Sequence, residues 1–183
     1  IIAEADESDG SFLKLNSYIA VVTNIEDDHL DYYGTEENIY KAFKQFLGNL
    51  VEGGKAILCV DNAKVKVLAQ EIDKEVITYG LEAADYVAKD ICYGVDGTTY
   101  KLYHKDEFVT EVRLIVPGRH NVLNSVGAFV AAREMGIADE TILKALEQFG
   151  GAKRRFETKG KVNGVWVVDD YAHHPTEIEV TLK

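Results

Sequence analysis

"SYIAVVTNI", Ser17 to Ile25, is an unbroken apolar run rich in β-branched residues, and the chain repeats its design. "GGKAILCVDN" and "EVITYG" each run from a turn or charged start into another short apolar stretch. Between them the apolar residues recur every three to four positions. In the first such segment Thr35 stands as an N-cap with Glu36 and Glu37 in the first turn, followed by Ile39, Phe43, Phe46, Leu47 and Leu50. "AKVKVLAQEI" supplies a second amphipathic helix. A strand that is apolar at every position is one covered on both faces, as in a parallel sheet. Strand, helix, strand, helix, strand in units this short requires right-handed crossovers. The chain is therefore expected to be an α/β protein with a doubly wound, mostly parallel sheet.

The period changes between Asp85 and Val116, where polar and apolar residues alternate and Asp96–Gly97 reads as a hairpin turn. A small antiparallel β lobe is expected there, closing one side of the sheet. Two helices follow. One carries Leu123, Val126 and Val130 on a stripe ending at Gly136, and the other is capped by Asp139 and carries Ile142, Leu146 and Phe149. Gly150 and Gly151 read as a boundary, after which "VNGVWVVDDYAHHPTEIEVTLK" opens a new strand-loop-helix unit. The expected division is residues 1–151 and 152–183. Ile1 to Ala3 read as the last turn of a buried strand, and the chain starts without Met and stops within a helix-like run. It is read as a piece of something longer.

Charge and cysteine narrow the function classes. There are 31 acidic against 20 basic residues, and no basic block is longer than Lys153–Arg155, so nucleic acid, which needs a basic footprint, is not an expected partner. Cys59 and Cys92 form no CxxC pair, which signals neither a disulfide framework nor zinc and suits a reducing cytoplasm. No stretch approaches the roughly 20 apolar residues of a membrane helix, and no signal peptide is visible.

Ligands of such sheets bind beyond the carboxyl ends of the strands, and three polar clusters fall where strands are expected to end. The first holds Glu4, Asp6, Glu7 and Asp9. The second, "TNIEDDHLDYY", holds Asp27, Asp28, His29 and Asp31, and the third, "VDDYAHHPT", holds Asp169, Asp170, His173 and His174. Carboxylates with water suit a hard cation, and Mg²⁺ usually accompanies substrate phosphates. Solvated acidic loops would look the same. In "PGRHNVLNSVGA" a glycine precedes a helix start, and Asn121 and Asn124, three residues apart, share a helix face from which two amides could bond a heterocycle edge. Asn is equally a plain helix cap. No GxxxxGK[ST] phosphate loop is present. The residues by themselves point to an α/β domain with a metal and an anionic ligand.

Taken in order, "AEADESDGSF", "VVTNIEDDHLDYY", "PGRHNVLNSVGA", "GAKRRFE" and "VDDYAHHPTE" resemble the motifs of the Mur ligases, end to end of the chain. The resemblance is strongest to the branch that adds L-alanine to UDP-N-acetylmuramate in peptidoglycan synthesis, with the tripeptide-recycling branch the nearest alternative. A metal-dependent phosphohydrolase is the competing reading outside the family. The resemblance implies part of a central ATPase domain, with its phosphate loop lying upstream, and the opening of a C-terminal Rossmann-like domain. It implies ATP and Mg²⁺, a bacterial cytoplasmic setting, and an acyl-phosphate intermediate that an amine converts to an amide. By motif, Glu4 and His29 would each bind Mg²⁺ and serve catalysis; His120, Asn121 and Asn124 would bind adenine, Arg155 phosphate and Asp170 the ribose. Tyr171, His173 and His174 would lie near the amino-acid cleft. Several sister ligases carry a carbamylated lysine near Lys44, but alignment on "FLGNL" makes the equivalent apolar, and Lys44 is read as a solvent-facing helix lysine.

Overall fold

The computed structural model describes residues 1–94, 97–173 and 175–182, with the side chains of Thr176 and Val180 set aside. The expected turn residue Asp96 and the candidate His174 lie outside the described residues. The chain divides into two compact units, Ile1–Glu147 and Gln148–Lys183.

In the first unit, parallel strands β1 (Ile19–Val22), β2 (Lys55–Cys59), β3 (Glu75–Gly80) and β4 (Tyr86–Gly94) lie in sequence order. Strands β5 (Gly97–His104) and β6 (Glu107–Leu114) continue the same sheet as an antiparallel meander. The antiparallel lobe thus closes one side by joining the parallel sheet through the Tyr79–Tyr86 and Gly80–Val87 pairs. The helices are a single turn α1 (Leu30–Tyr33), α2 (Glu36–Gly48), α3 (Ala63–Glu71), α4 (Arg119–Glu134) and α5 (Asp139–Gln148).

Alternate side chains of β2 divide the core. Ala56 and Leu58 face a cluster with Phe12, Ile39, Phe46, Leu47, Val65 and Leu68, the apolar stripes of α2 and α3. Ile57 and Cys59 face the other side, with Tyr79, Tyr100, Val122, Val126, Phe129 and Val130, where α4 lies. Helices therefore cover both faces, as a doubly wound sheet demands. The Thr35 hydroxyl accepts the Asn38 amide at 3.3 Å, which is the expected N-cap of α2.

Three expectations are corrected. Ile1 to Ala3 form no strand and are exposed, since no described strand pairs with them. Strand β1 is not covered equally on both faces: Ala20 and Val22 are buried, whereas Val21 on the other face is 41% exposed. Asp139 is the first residue of α5 rather than its cap; the Ala138 carbonyl accepts the Thr141 and Ile142 amides, and Asp139 pairs with Arg133 Nε at 3.2 Å.

Tyr79 is fully buried, and its hydroxyl has no hydrogen-bond partner among the described residues. Burial holds the phenol far above its usual pKa, and the nearby Cys59 thiol and Asp61 carboxylate add to this. An orphan buried hydroxyl costs about 1 kcal/mol or more. Tyr79→Phe is therefore expected to stabilise the unit by about 1 kcal/mol and raise its melting temperature by about 3 °C. Thermal denaturation followed by circular dichroism checks this, and a lower melting temperature would refute it.

The second unit is a hairpin of β7 (Glu157–Val162) and β8 (Val165–Asp169) followed by α6 (Pro175–Leu182). Asn163 and Gly164 turn it with φ of 50° and 80°, the left-handed pair of a type I′ turn. The expected unit began with the strand around Trp166; β7 before it is the part the polar run "ETKGK" conceals.

Candidate functional site

The loop from Glu4 to Gly10 is shaped by its own carboxylates. Asp6 accepts the Ser8 amide and Asp9 the Ser11 amide, each at 2.9 Å, and hydrogen bonding from the side chains and amides of these serines holds both carboxyl groups below their usual pKa. Two of the four acids are thereby committed to the turn. Gly10 permits the last step: its φ is 71°, and a Cβ there would lie 2.8 Å from the Tyr32 hydroxyl. The Tyr33 hydroxyl donates to the Glu7 carbonyl, tying this loop to α1.

His29 sits at the head of α1 in the left-handed region, with φ 56° and ψ 35°, and its amide donates to Asp28 Oδ1 at 2.8 Å. Its Nε2 lies 3.8 Å from both Glu7 Oε1 and Asp28 Oδ2. The acid that meets His29 is therefore Glu7, while Glu4 is exposed to solvent. No group of three or more His, Cys, Asp or Glu converges as a metal site among the described residues. The donor chemistry still fits Mg²⁺, which keeps several waters and takes one or two protein ligands with substrate phosphates rather than a full protein cage. The Glu4 carboxylate suits that role as a single ligand, and the His29 imidazole is the softer donor of the two; they are not members of one cage.

At the start of α4, Gly118 has φ 100° and a Cβ there would come within 2.7 Å of the His120 ring. Asn121 donates its amide to the Pro117 carbonyl at 2.6 Å and so holds the turn itself. Asn124, one turn on, is exposed. Arg119 Nη2 pairs with Asp61 Oδ2 at 2.9 Å.

In the second unit, burial raises the Asp170 pKa but the backbone amides of Ala172 and Phe156, both at 2.7 Å, outweigh it and hold the carboxyl low. The Arg154 guanidinium covers the Tyr171 ring, 4.4 Å from its centroid. His173 Nδ1 lies 3.0 Å from the Tyr171 carbonyl, and Arg155 is exposed. Lys44 pairs with Glu71 on α3 at 2.9 Å. Tyr40 donates to the same carboxylate, and burial with that bond pushes its phenol up to about 12.

Sequence reasoning passed over Asp61, Asn62 and Lys64, which bridge several of these loops. "VDN" at the end of β2 was the available signal, a polar cluster closing an apolar run like the other three.

The Mur ligase middle domain matches residues 2–132, and the Mur ligase glutamate ligase domain matches residues 154–183. The chain belongs to the Mur ligase family. Among its relatives, the UDP-N-acetylmuramate–L-alanine ligase of Desulforamulus reducens is 50% identical over the whole chain, and that of Pelotomaculum thermopropionicum 47%. The chain spans 40% of the length of each. Among solved structures, UDP-N-acetylmuramate-alanine ligase MurC from Thermotoga maritima superposes with a TM-score of 0.83 at 27% identity, covering 97% of this chain and 40% of that one.

Proposed function

We propose that this chain is part of an ATP-dependent ligase that joins L-alanine to UDP-N-acetylmuramate in peptidoglycan synthesis. The observation that carries the reading is the match, end to end, to relatives of that name at up to 50% identity. Those relatives favour it over the tripeptide-recycling and phosphohydrolase alternatives. Residues 1–151 of this chain would form part of a central ATP-binding domain and residues 152–183 the start of a C-terminal domain, working in a bacterial cytoplasm.

In the proposed reaction the muramate carboxylate attacks the γ-phosphorus of ATP, giving an acyl phosphate and ADP. The alanine amine then attacks the acyl carbon and phosphate leaves, so the amide forms without net oxidation or reduction. Positioning and charge stabilisation carry such steps. His120 and Asn124 are assigned to adenine, with Asn121 holding the helix start from which they project. Arg155 is assigned to phosphate, Asp170 to the ribose hydroxyls, and Tyr171, His173 and His174 to the amino-acid side. Glu4 and His29 are the residues that would hold Mg²⁺, which when bound supplies neutralisation of phosphate charge.

Calorimetric titration with ATP and Mg²⁺, on this chain and on one extended upstream to the length of its relatives, tests the reading. The extended chain is expected to bind, and Asn124→Ala to weaken binding about 10-fold, the worth of about one lost hydrogen bond. No binding by the extended chain would overturn the assignment.

A further inference from the structure

The turn between β2 and α3 reaches three separate segments at the carboxyl edge of the sheet. Asp61 accepts the Leu81 amide through Oδ1 at 2.9 Å and pairs through Oδ2 with Arg119, at the first residue of α4, at the same distance. Its side chain is only 14% exposed, and it lies so close over Gly80 that a Cβ there would fall 2.3 Å from Oδ1. Asn62 caps α3 by accepting the Val65 amide at 3.1 Å and donates to Glu26 Oε1 at 3.2 Å. Lys64 pairs with Asp27 and stands 3.7 Å from Glu36 Oε2. Glu26 and Asp27 belong to the loop that carries His29.

We propose that this turn positions the two halves of the nucleotide cleft: Asp61 sets the start of α4, and Lys64 with Asn62 sets the His29 loop. The proposal rests on the reading of those two segments as adenine and Mg²⁺ sites. None of the three residues is itself assigned to a ligand. Asp61 and Asn62 follow closely on β2, whose Ile57, Leu58 and Cys59 are buried, and Lys64 stands in the first turn of α3, whose Val65 and Leu68 are buried, so all three are anchored to the core. The Lys64 pairs are partly exposed, and the Arg119 end of the Asp61 pair is open to solvent, so these contacts add little to stability. A displacement of about 1 Å at a binding group, by contrast, can cost up to roughly 10²-fold in function. The pairs therefore make physical sense as alignment devices, and alignment predicts a different experimental pattern from stability.

Asp61→Asn keeps an oxygen for the Leu81 amide and the fit against Gly80 while losing the charge that holds Arg119. In the chain extended to the length of its relatives, it is expected to raise the calorimetric Kd for ADP about 10-fold, leaving the melting temperature and Mn²⁺ affinity unchanged. Lys64→Met is expected to do the reverse, lowering Mn²⁺ affinity about 10-fold, read by electron paramagnetic resonance with ADP saturating, at unchanged ADP affinity. Gly80→Ala, which displaces Asp61 without altering it, should likewise raise the ADP Kd at unchanged Mn²⁺ affinity, with some loss of melting temperature from the close contact. Adding Arg119→Ala to Asp61→Asn should cost nothing more, because the pair is already broken. If Asp61→Asn leaves ADP affinity within twofold while Asn124→Ala reduces it, the positioning role is wrong and the nucleotide site stands. If neither substitution matters, the nucleotide site is wrong and the positioning role falls with it. If Asp61→Asn and Lys64→Met lower melting temperature and both affinities alike, the turn is structural only and the proposal is overturned.

Discussion

Replacing His29 by Asn is expected to lower alanine-dependent phosphate release by about 10²-fold in a ligase of the relatives' length, with the melting temperature barely moved. The choice of Asn matters because His29 occupies the left-handed region. Asn is among the few residues enriched there, so the turn into α1 survives the change. What is lost is the imidazole Nε2, whose neighbours Glu7 and Asp28 stand at 3.8 Å. Those pairs are partly exposed and contribute little to folding. A group that stabilises developing phosphate charge is worth several kcal/mol at the transition state, and about 3 kcal/mol corresponds to roughly 10²-fold. His29→Ala should lose the same activity and also some stability, because Ala resists a positive φ. Turnover within threefold of the parent in His29→Asn would remove His29 from the chemistry.

Much of the fold was legible because its physical causes are local. Thr35, Glu36 and Glu37 announce α2 through capping and charge at its start, and the apolar runs of β2 and β3 announce a covered sheet. Errors arose where a neighbour decides the outcome. The run from Ser17 to Ile25 has the composition of a covered strand, yet in β1 Ala20 and Val22 are buried while Val21 on the other face is exposed. Strand β7 is polar along most of its length, and only its pairing with β8 makes it a strand. At the site, the sequence marked the acidic loop but not which acid would meet His29: Asp6 and Asp9 are drawn into their own turns, Glu7 faces the imidazole, and Glu4 stays in solvent. Asp61 was overlooked because its partners lie 20 and 58 residues away. A long-range ion pair leaves no local pattern.

Phe129→Ala should be strongly destabilising, and helix α4 explains why it should spare the nucleotide site. Phe129 is fully buried between α4 and the sheet, beside Val126, Val130 and Tyr79. Truncating a buried Phe removes its transfer free energy and leaves a cavity, together about 3–5 kcal/mol, or a fall of about 10 °C in melting temperature for a unit of this size. Asn124 lies on the exposed side of the same helix, five residues earlier. Below the lowered melting temperature, Phe129→Ala in the extended chain should therefore bind ADP with near-parental affinity, whereas Asn124→Ala should melt normally and bind poorly. Gly127, between them, lets the helix approach so closely that a Cβ there would lie 2.9 Å from the Tyr79 hydroxyl. Denaturation and calorimetry on the two variants separate the faces. Loss of ADP affinity in folded Phe129→Ala would mean that the packing depth of α4, and not only its exposed amides, sets the nucleotide site.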